Sequence, residues 1–161
     1  MPQTQLNRSS PKSLAVIGWR ETVALPALGI AEIKAKIDTG ARSSALHAFN
    51  IEPFQHDSQE MVRFQVHPQQ RNSQQTVTAA APLLEYRQVK NSGGQAQLRP
   101  VIQTIVGLGE QQWTIELTLT NRDAMGFRML LGRQAVRRRF LVDAGSSFLH
   151  RPSPTHRYRE P

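Results

Sequence analysis

Asp38-Thr39-Gly40 is the place in this 161-residue chain where residue types and spacing could do chemistry. A glycine just beyond a carboxylate lets the backbone turn tightly, so that N–H groups can close on the carboxylate oxygens. Set against a second carboxylate, such a group can share one proton and activate a water for attack on a carbonyl carbon. Taken alone, however, the tripeptide is common, and it reads most simply as an Asx-type turn between two strands with Asp38 capping it.

The segments that must position Asp38 read mainly as strands. Ile30 to Ile37 alternates, with Ile33, Ala35 and Ile37 on one face and Glu32, Lys34 and Lys36 on the other, and Asp38 stands at its end. Two short apolar runs precede it, Leu14 to Trp19 and Thr22 to Leu25. Val62, Phe64 and Val66 alternate with polar residues, and Trp113, Ile115, Leu117 and Leu119 alternate with Thr114, Glu116, Thr118 and Thr120. Phe127 to Leu131 is a further apolar strand ending at Gly132, and Gln134 to Arg139 is predicted as one short helix. The Gln-, Asn-, Ser- and Gly-rich residues 68–82 and 90–97 are predicted loops. Residues 1–13 and 150–161, polar and punctuated by proline, are expected to be disordered tails around a single domain at 14–149. Many short strands, turn-rich joints and one short helix predict an all-β protein closed into a barrel.

Two later blocks give Asp38 a context. Met129-Leu130-Leu131-Gly132-Arg133 follows the Trp113 to Thr120 strand, and Asn91-Ser92-Gly93-Gly94 lies between Leu84–Lys90 and Leu98–Val106. Together with Ile37-Asp38-Thr39-Gly40-Ala41 they resemble the retropepsin family, whose acid-protease barrel carries its catalytic aspartate on an Asp-Thr-Gly turn. The chain is similar in particular to the bacterial retropepsin-like family often labelled "ATP-dependent zinc protease". That resemblance rests on Ile37 through His47, Arg99-Pro100-Val101-Ile102, Leu117 through Arg122, Met129 through Arg133, and Phe140-Leu141-Val142-Asp143, and it covers roughly residues 14 to 149. Ala144 departs from the proline expected there.

The resemblance implies an aspartic endopeptidase with Asp38, Thr39 and Gly40 at its catalytic turn. It implies that Ala41, Arg42 and Ser43 meet substrate beneath a flap tipped by Gly93 and Gly94, and that Leu131, Gly132 and Arg133 support the turn from behind. One chain supplies one such aspartate. Val142-Asp143-Ala144-Gly145 mimics a second copy, but only 18 residues follow Asp143, too few for another lobe. A homodimer with Asp38 from each subunit on the two-fold axis is the implied solution. Members of the family are associated with a ligase that adds glutamate to a ribosomal protein, which implies an acidic or glutamate-tailed protein substrate. Arg42, Arg133 and Arg137 to Arg139 are compatible with that. A catalytically silent module of the same fold, binding an acidic peptide or a ribosomal partner, is the alternative.

Other chemistry has little footing. The chain has no cysteine, which removes disulfides, thiolate metal sites and a Cys nucleophile. It has no Gly-x-x-x-x-Gly-Lys-Ser/Thr phosphate loop and no His-Glu-x-x-His, and His47, His56, His67, His150 and His156 have no ligand-like spacing, so neither a metal nor any other cofactor is expected. Of the net charge of +8, the two tails hold +4, through Arg8, Lys12, Arg151, Arg157 and Arg159 against Glu160. The dense run Arg137-Arg138-Arg139 lacks interleaved aromatic residues, so nucleic acid is not an expected partner. No apolar run suits a membrane span, and Met1 to Ser13 lacks the apolar core of a signal peptide, giving an expected cytoplasmic location.

Overall fold

The structure, a computed structural model, describes residues 13–69, 75–90, 93–121 and 126–150. The expected tails, apart from Ser13 and His150, fall outside them, as do Asn91, Ser92 and Arg122. Among these described residues ten strands follow in chain order: β1 Ala15–Leu25, β2 Ile30–Asp38, β3 Ser44–His47, β4 Phe49–His56, β5 Gln59–Val66, β6 Val77–Lys90, β7 Ala96–Leu108, β8 Gln111–Thr120, β9 Met129–Gly132 and β10 Phe140–Ser147. Among the described residues one α-helix, α1 Arg133–Val136, precedes β10, and a short 3-10 helix, Pro26–Leu28, joins β1 to β2. The fold is an all-β, retropepsin-like barrel, as expected.

Closure comes from six strands. The order β1-β2-β9-β3-β8-β7 returns to β1 through the pair Ala24↔Gly107, while β10 flanks β1 and β6, β5 and β4 extend the sheet beyond β7. Period-two alternation in β2 puts Ile33, Ala35 and Ile37 inside, where they join Leu46, Leu117, Leu119, Met129 and Leu131 in the core. Thr118 departs from its expected solvent face. It is buried between β3 and β7, and its hydroxyl donates to Ser44 O at 3.1 Å.

Several boundaries differ from the sequence reading for definable reasons. The two runs around Trp19 are one strand, β1, whose parallel ladder with β10 shifts register between Gly18 and Arg20 and ends at Arg20↔Ser147, where the antiparallel ladder with β2 begins. Gly18 permits this because a Cβ there would collide with the Ser146 carbonyl. Val77 to Pro82, read as loop, belongs to β6 and pairs with β5. Its inward residues Ala79 and Ala81 are too small to give a strong apolar pattern. The helix occupies Arg133–Val136 rather than 134–139: Arg138 takes φ 66°, and Phe140 turns in to pack against Trp113 at 5.5 Å. Ala144 lies within β10.

Two buried polar groups lead to opposite expectations. Glu21 is fully buried, and its carboxylate accepts from Gly18 N (2.7 Å), Leu149 N (3.0 Å) and His150 N (3.0 Å), tying the last described residues to the β1 irregularity. Glu21→Ala strands those three amides and is expected to cost on the order of 3 kcal/mol in denaturant unfolding. Thr104 points into the barrel, and its hydroxyl has no partner among the described residues. Thr104→Val keeps the shape and removes the orphan, so it is expected to stabilise by about 1 kcal/mol in the same measurement.

Candidate active site

Strand β9 is threaded between β2 and β3. It runs parallel to β2, with Asp38 opposite Gly132, and antiparallel to β3, with Ala45 opposite Leu130. The loop 39–43 therefore leaves β2, crosses the end of β9 and re-enters the barrel on its other side. The crossing is bonded throughout: Gly132 N donates to Ser44 Oγ (3.0 Å), Arg133 N to Ala41 O (2.7 Å) and Gln134 N to Arg42 O (3.1 Å). Arg133 adds a side-chain bond from Nη1 to Thr39 O at 3.0 Å. Gly132 leaves room for the loop, since a Cβ there would collide with the Ser43 carbonyl oxygen and lie 2.6 Å from its carbon.

The Asp38 carboxylate is fixed by the loop it begins. Its Oδ1 accepts from Gly40 N at 3.0 Å and Ala41 N at 3.2 Å, and Ala41 N also reaches Asp38 O at 3.2 Å. Both amides fall on one oxygen, and among the described residues no donor meets Oδ2. Asp38 is half-buried, and Thr39 and Gly40 are exposed. The result is an oriented carboxylate with one oxygen open to a water or a second carboxyl group. Asp143, the look-alike, is arranged differently. It lies within β10, and its oxygens are taken by its own turn, from Gly145 N (3.0 Å) and Ser146 Oγ (2.7 Å). The Ser146 hydroxyl, then the Gly145 amide, hold this exposed carboxyl below its ordinary pKa.

Beside the loop lies a groove of about 950 Å³, running from Gly40–Ser44 past α1 to β8 and the end of β6. Arg42, Arg87, Lys90 and Arg139 line it, against Glu116; Asp38 is not among the lining residues. Arg87 donates to Glu85 and Glu116, each at 2.9 Å, and these bonds hold its pKa above the ordinary value. Arg139 stacks 5.0 Å above Trp113, whose indole N–H donates to Ala135 O at 3.0 Å.

Of the residues singled out in sequence, the fold joins Asp38, Thr39, Gly40, Ala41, Arg42 and Ser43 to Leu131, Gly132 and Arg133. Gly93 and Gly94 end the β6–β7 hairpin, with Gly94 at φ 82°, and do not line the groove. Ser44, Arg87, Lys90 and Trp113 were not identified as site residues. Only Trp113 had a signal, an indole N–H on an inward strand position that must find an acceptor.

Zinc does not fit the residues present. Among the described residues no group of three His, Asp or Glu could hold a metal ion. The rings of His47, His67 and His150 instead meet backbone carbonyls of Asn121, Gln75 and Val16 on separate elements. No helix among the described residues is long and apolar enough to cross a membrane.

Comparison with known proteins agrees with the geometry. Residues 16–153 match the family described as RimB-like, retropepsin-like aspartic endopeptidase. A probable alpha-L-glutamate ligase of Parasynechococcus marenigrum is 50% identical over 132 residues, covering 82% of this chain and 28% of the relative. One from Shewanella pealeana is 44% identical over 133 residues, covering 83% and 29%. The chain thus spans under a third of the length of these curated relatives. The crystal structure of a Legionella pneumophila protein of unknown function superposes with a TM-score of 0.69 at 29% identity, covering 85% of this chain and 98% of that one.

Proposed function

Because this chain belongs to the RimB-like family of retropepsin-like aspartic endopeptidases, we propose that it hydrolyses peptide bonds with Asp38 as one of two catalytic carboxylates. The observation that carries the reading is the Asp38 carboxylate itself, set at the end of β2 opposite Gly132 with Oδ1 pinned by two amides. The second carboxylate comes from Asp38 of a second copy, in a two-fold symmetric dimer. Two carboxyl groups brought to about 3 Å share one proton and titrate as a pair.

The ionised member takes a proton from water as its oxygen attacks the peptide carbonyl carbon, and the protonated member donates to the carbonyl oxygen. Transfer of a proton to the amide nitrogen then lets the C–N bond break, giving a carboxylic acid and an amine. Thr39 and Gly40 form the turn, and Ala41, Arg42 and Ser43 offer backbone and side-chain contacts to an extended substrate. The Gly93-Gly94 hairpin closes over it.

An acidic or glutamate-tailed protein is the proposed substrate. The matched relatives are named glutamate ligases, so this module occurs within proteins named for joining glutamate. The groove beside the loop carries Arg42, Lys90 and Arg139, with Arg87 already engaged by two glutamates. The alternative, a silent binding module of the same fold, draws on the single Asp-Thr-Gly turn per chain. Cleavage of glutamate-tailed and neutral peptides by wild type and Asp38→Asn, from acid to neutral pH, separates the two. Cleavage lost with binding kept supports the peptidase; binding with no cleavage by either protein supports the silent module.

A further inference from the structure

The helix behind the Asp38 turn is too short to hold its own place. α1 is one turn, Arg133–Val136, closed by a bond from Arg137 N to Arg133 O at 2.9 Å. A helix of that length is not stable by itself, and the carbonyls of its last turn must find partners outside it. Its position is therefore set by what it bonds and packs against. Toward the loop, Arg133 N and Gln134 N donate to Ala41 O and Arg42 O. Toward the barrel, Ala135 and Val136 are buried, and the Ala135 carbonyl accepts the Trp113 indole N–H at 3.0 Å.

Trp113 is a firm support for that carbonyl. It stands opposite Val106 on β8, a strand paired with β7 on one side and β3 on the other. Its ring is 8% exposed, 5.5 Å from Phe140 and 5.0 Å beneath the Arg139 guanidinium. An unbroken path of hydrogen bonds thus leads from β8 to the carboxylate. Trp113 holds Ala135 in α1, α1 holds Ala41 and Arg42 in the loop, and Gly40 N and Ala41 N hold Asp38 Oδ1. Without the indole donor a buried carbonyl at the middle of that path loses its bond, and α1 can settle only by moving.

We propose that Trp113 is a positioning residue for peptide cleavage: through Ala135 its indole N–H sets α1, and with it the loop that aims the Asp38 carboxylate. The effect on cleavage rests on the peptidase reading; the link between Trp113 and the loop does not. Trp113 also lines the groove, beside Gly40–Ser44, Gln134 and Ala135. A test must therefore remove the donor and leave the ring.

Benzothienylalanine in place of Trp113 does this, since it keeps the bicyclic ring and puts sulfur where the N–H was. The analogue is expected to lower kcat about tenfold and leave KM within about twofold, because the turn slackens while the groove wall stays. Hydrogen exchange at the Arg133 and Gln134 amides, which bond the loop, is expected to quicken about tenfold. Trp113→Phe is expected to lower kcat at least as much. Val62→Ala, a fully buried core change on β5, serves as the stability control. It is expected to lower the thermal midpoint by at least as much as the analogue while keeping kcat and both amides near wild type. Wild-type kcat in the analogue overturns the proposal, as does a loss of kcat that Val62→Ala reproduces. If wild type cleaves no peptide, exchange decides alone. Faster exchange at Arg133 and Gln134 in the analogue then keeps the link and removes the peptidase reading, and unchanged exchange removes the link.

Discussion

Asp38→Asn is expected to reduce peptide cleavage roughly ten-thousand-fold while leaving the thermal midpoint within a few degrees of wild type. Asparagine is nearly isosteric, and its carbonyl oxygen can still accept from Gly40 N and Ala41 N, so the turn survives. What disappears is the shared proton: a neutral amide can neither take a proton from water nor cycle as its donor. The sharper form of the experiment mixes subunits. If each active site needs Asp38 from both copies, an exchanged equimolar mixture of wild type and variant retains only about one quarter of its dimers intact. Activity per wild-type chain then falls by about half. A mixture that keeps full activity per wild-type chain would show that one subunit suffices and would remove the symmetric dyad.

Gly132→Ala is expected to cost roughly 3 kcal/mol and to lower activity at least a hundredfold in the protein that still folds. The reason is contact rather than backbone freedom, since Gly132 has an ordinary extended φ of −86°. A methyl group there meets the Ser43 carbonyl and lies 3.0 Å from Ala41 O, both backbone atoms of the crossing loop. The loop can yield only by breaking the bonds that Arg133 N and Gln134 N make to Ala41 and Arg42. Asp38 begins that loop, so its carboxylate would shift with it. Denaturant unfolding and residual peptidase activity are the two readouts. A Gly132→Ala protein of wild-type stability and rate would mean that the crossing does not position Asp38.

The alternating strands were the legible part of this fold. Ile33, Ala35 and Ile37, and again Trp113, Ile115 and Leu117, announce their inward faces because large side chains recur every second residue. Legibility failed where pairing rather than side-chain size decides structure. Ala79 and Ala81 are buried but too small to register, and β3 is a four-residue strand stabilised by neighbours distant in sequence. The site followed the same division. The turn at Asp38 and the segment at Gly132 are local motifs and could be seen. Ser44, which accepts the Gly132 amide, is one serine among several until β9 is placed beside it. Among the cations, Arg137 to Arg139 stand out in the sequence because they are consecutive, whereas the groove draws Arg42, Arg87, Lys90 and Arg139 from distant segments.

The seam that closes the barrel also governs how the chain must fold. β1, near the start of the chain, is completed by Phe140 through Asp143 on one side and by Gly107 on the other. β9 can enter its slot only after β2 and β3 have left one open between them. No hairpin formed early can satisfy either demand, so the long-range pairings bear most of the loop-closure entropy and folding is slow for a domain of this size. During synthesis β1 waits through more than a hundred residues for its last partner. The edge of β1 that receives β10 is thus, for most of the chain's emergence, open and in need of protection.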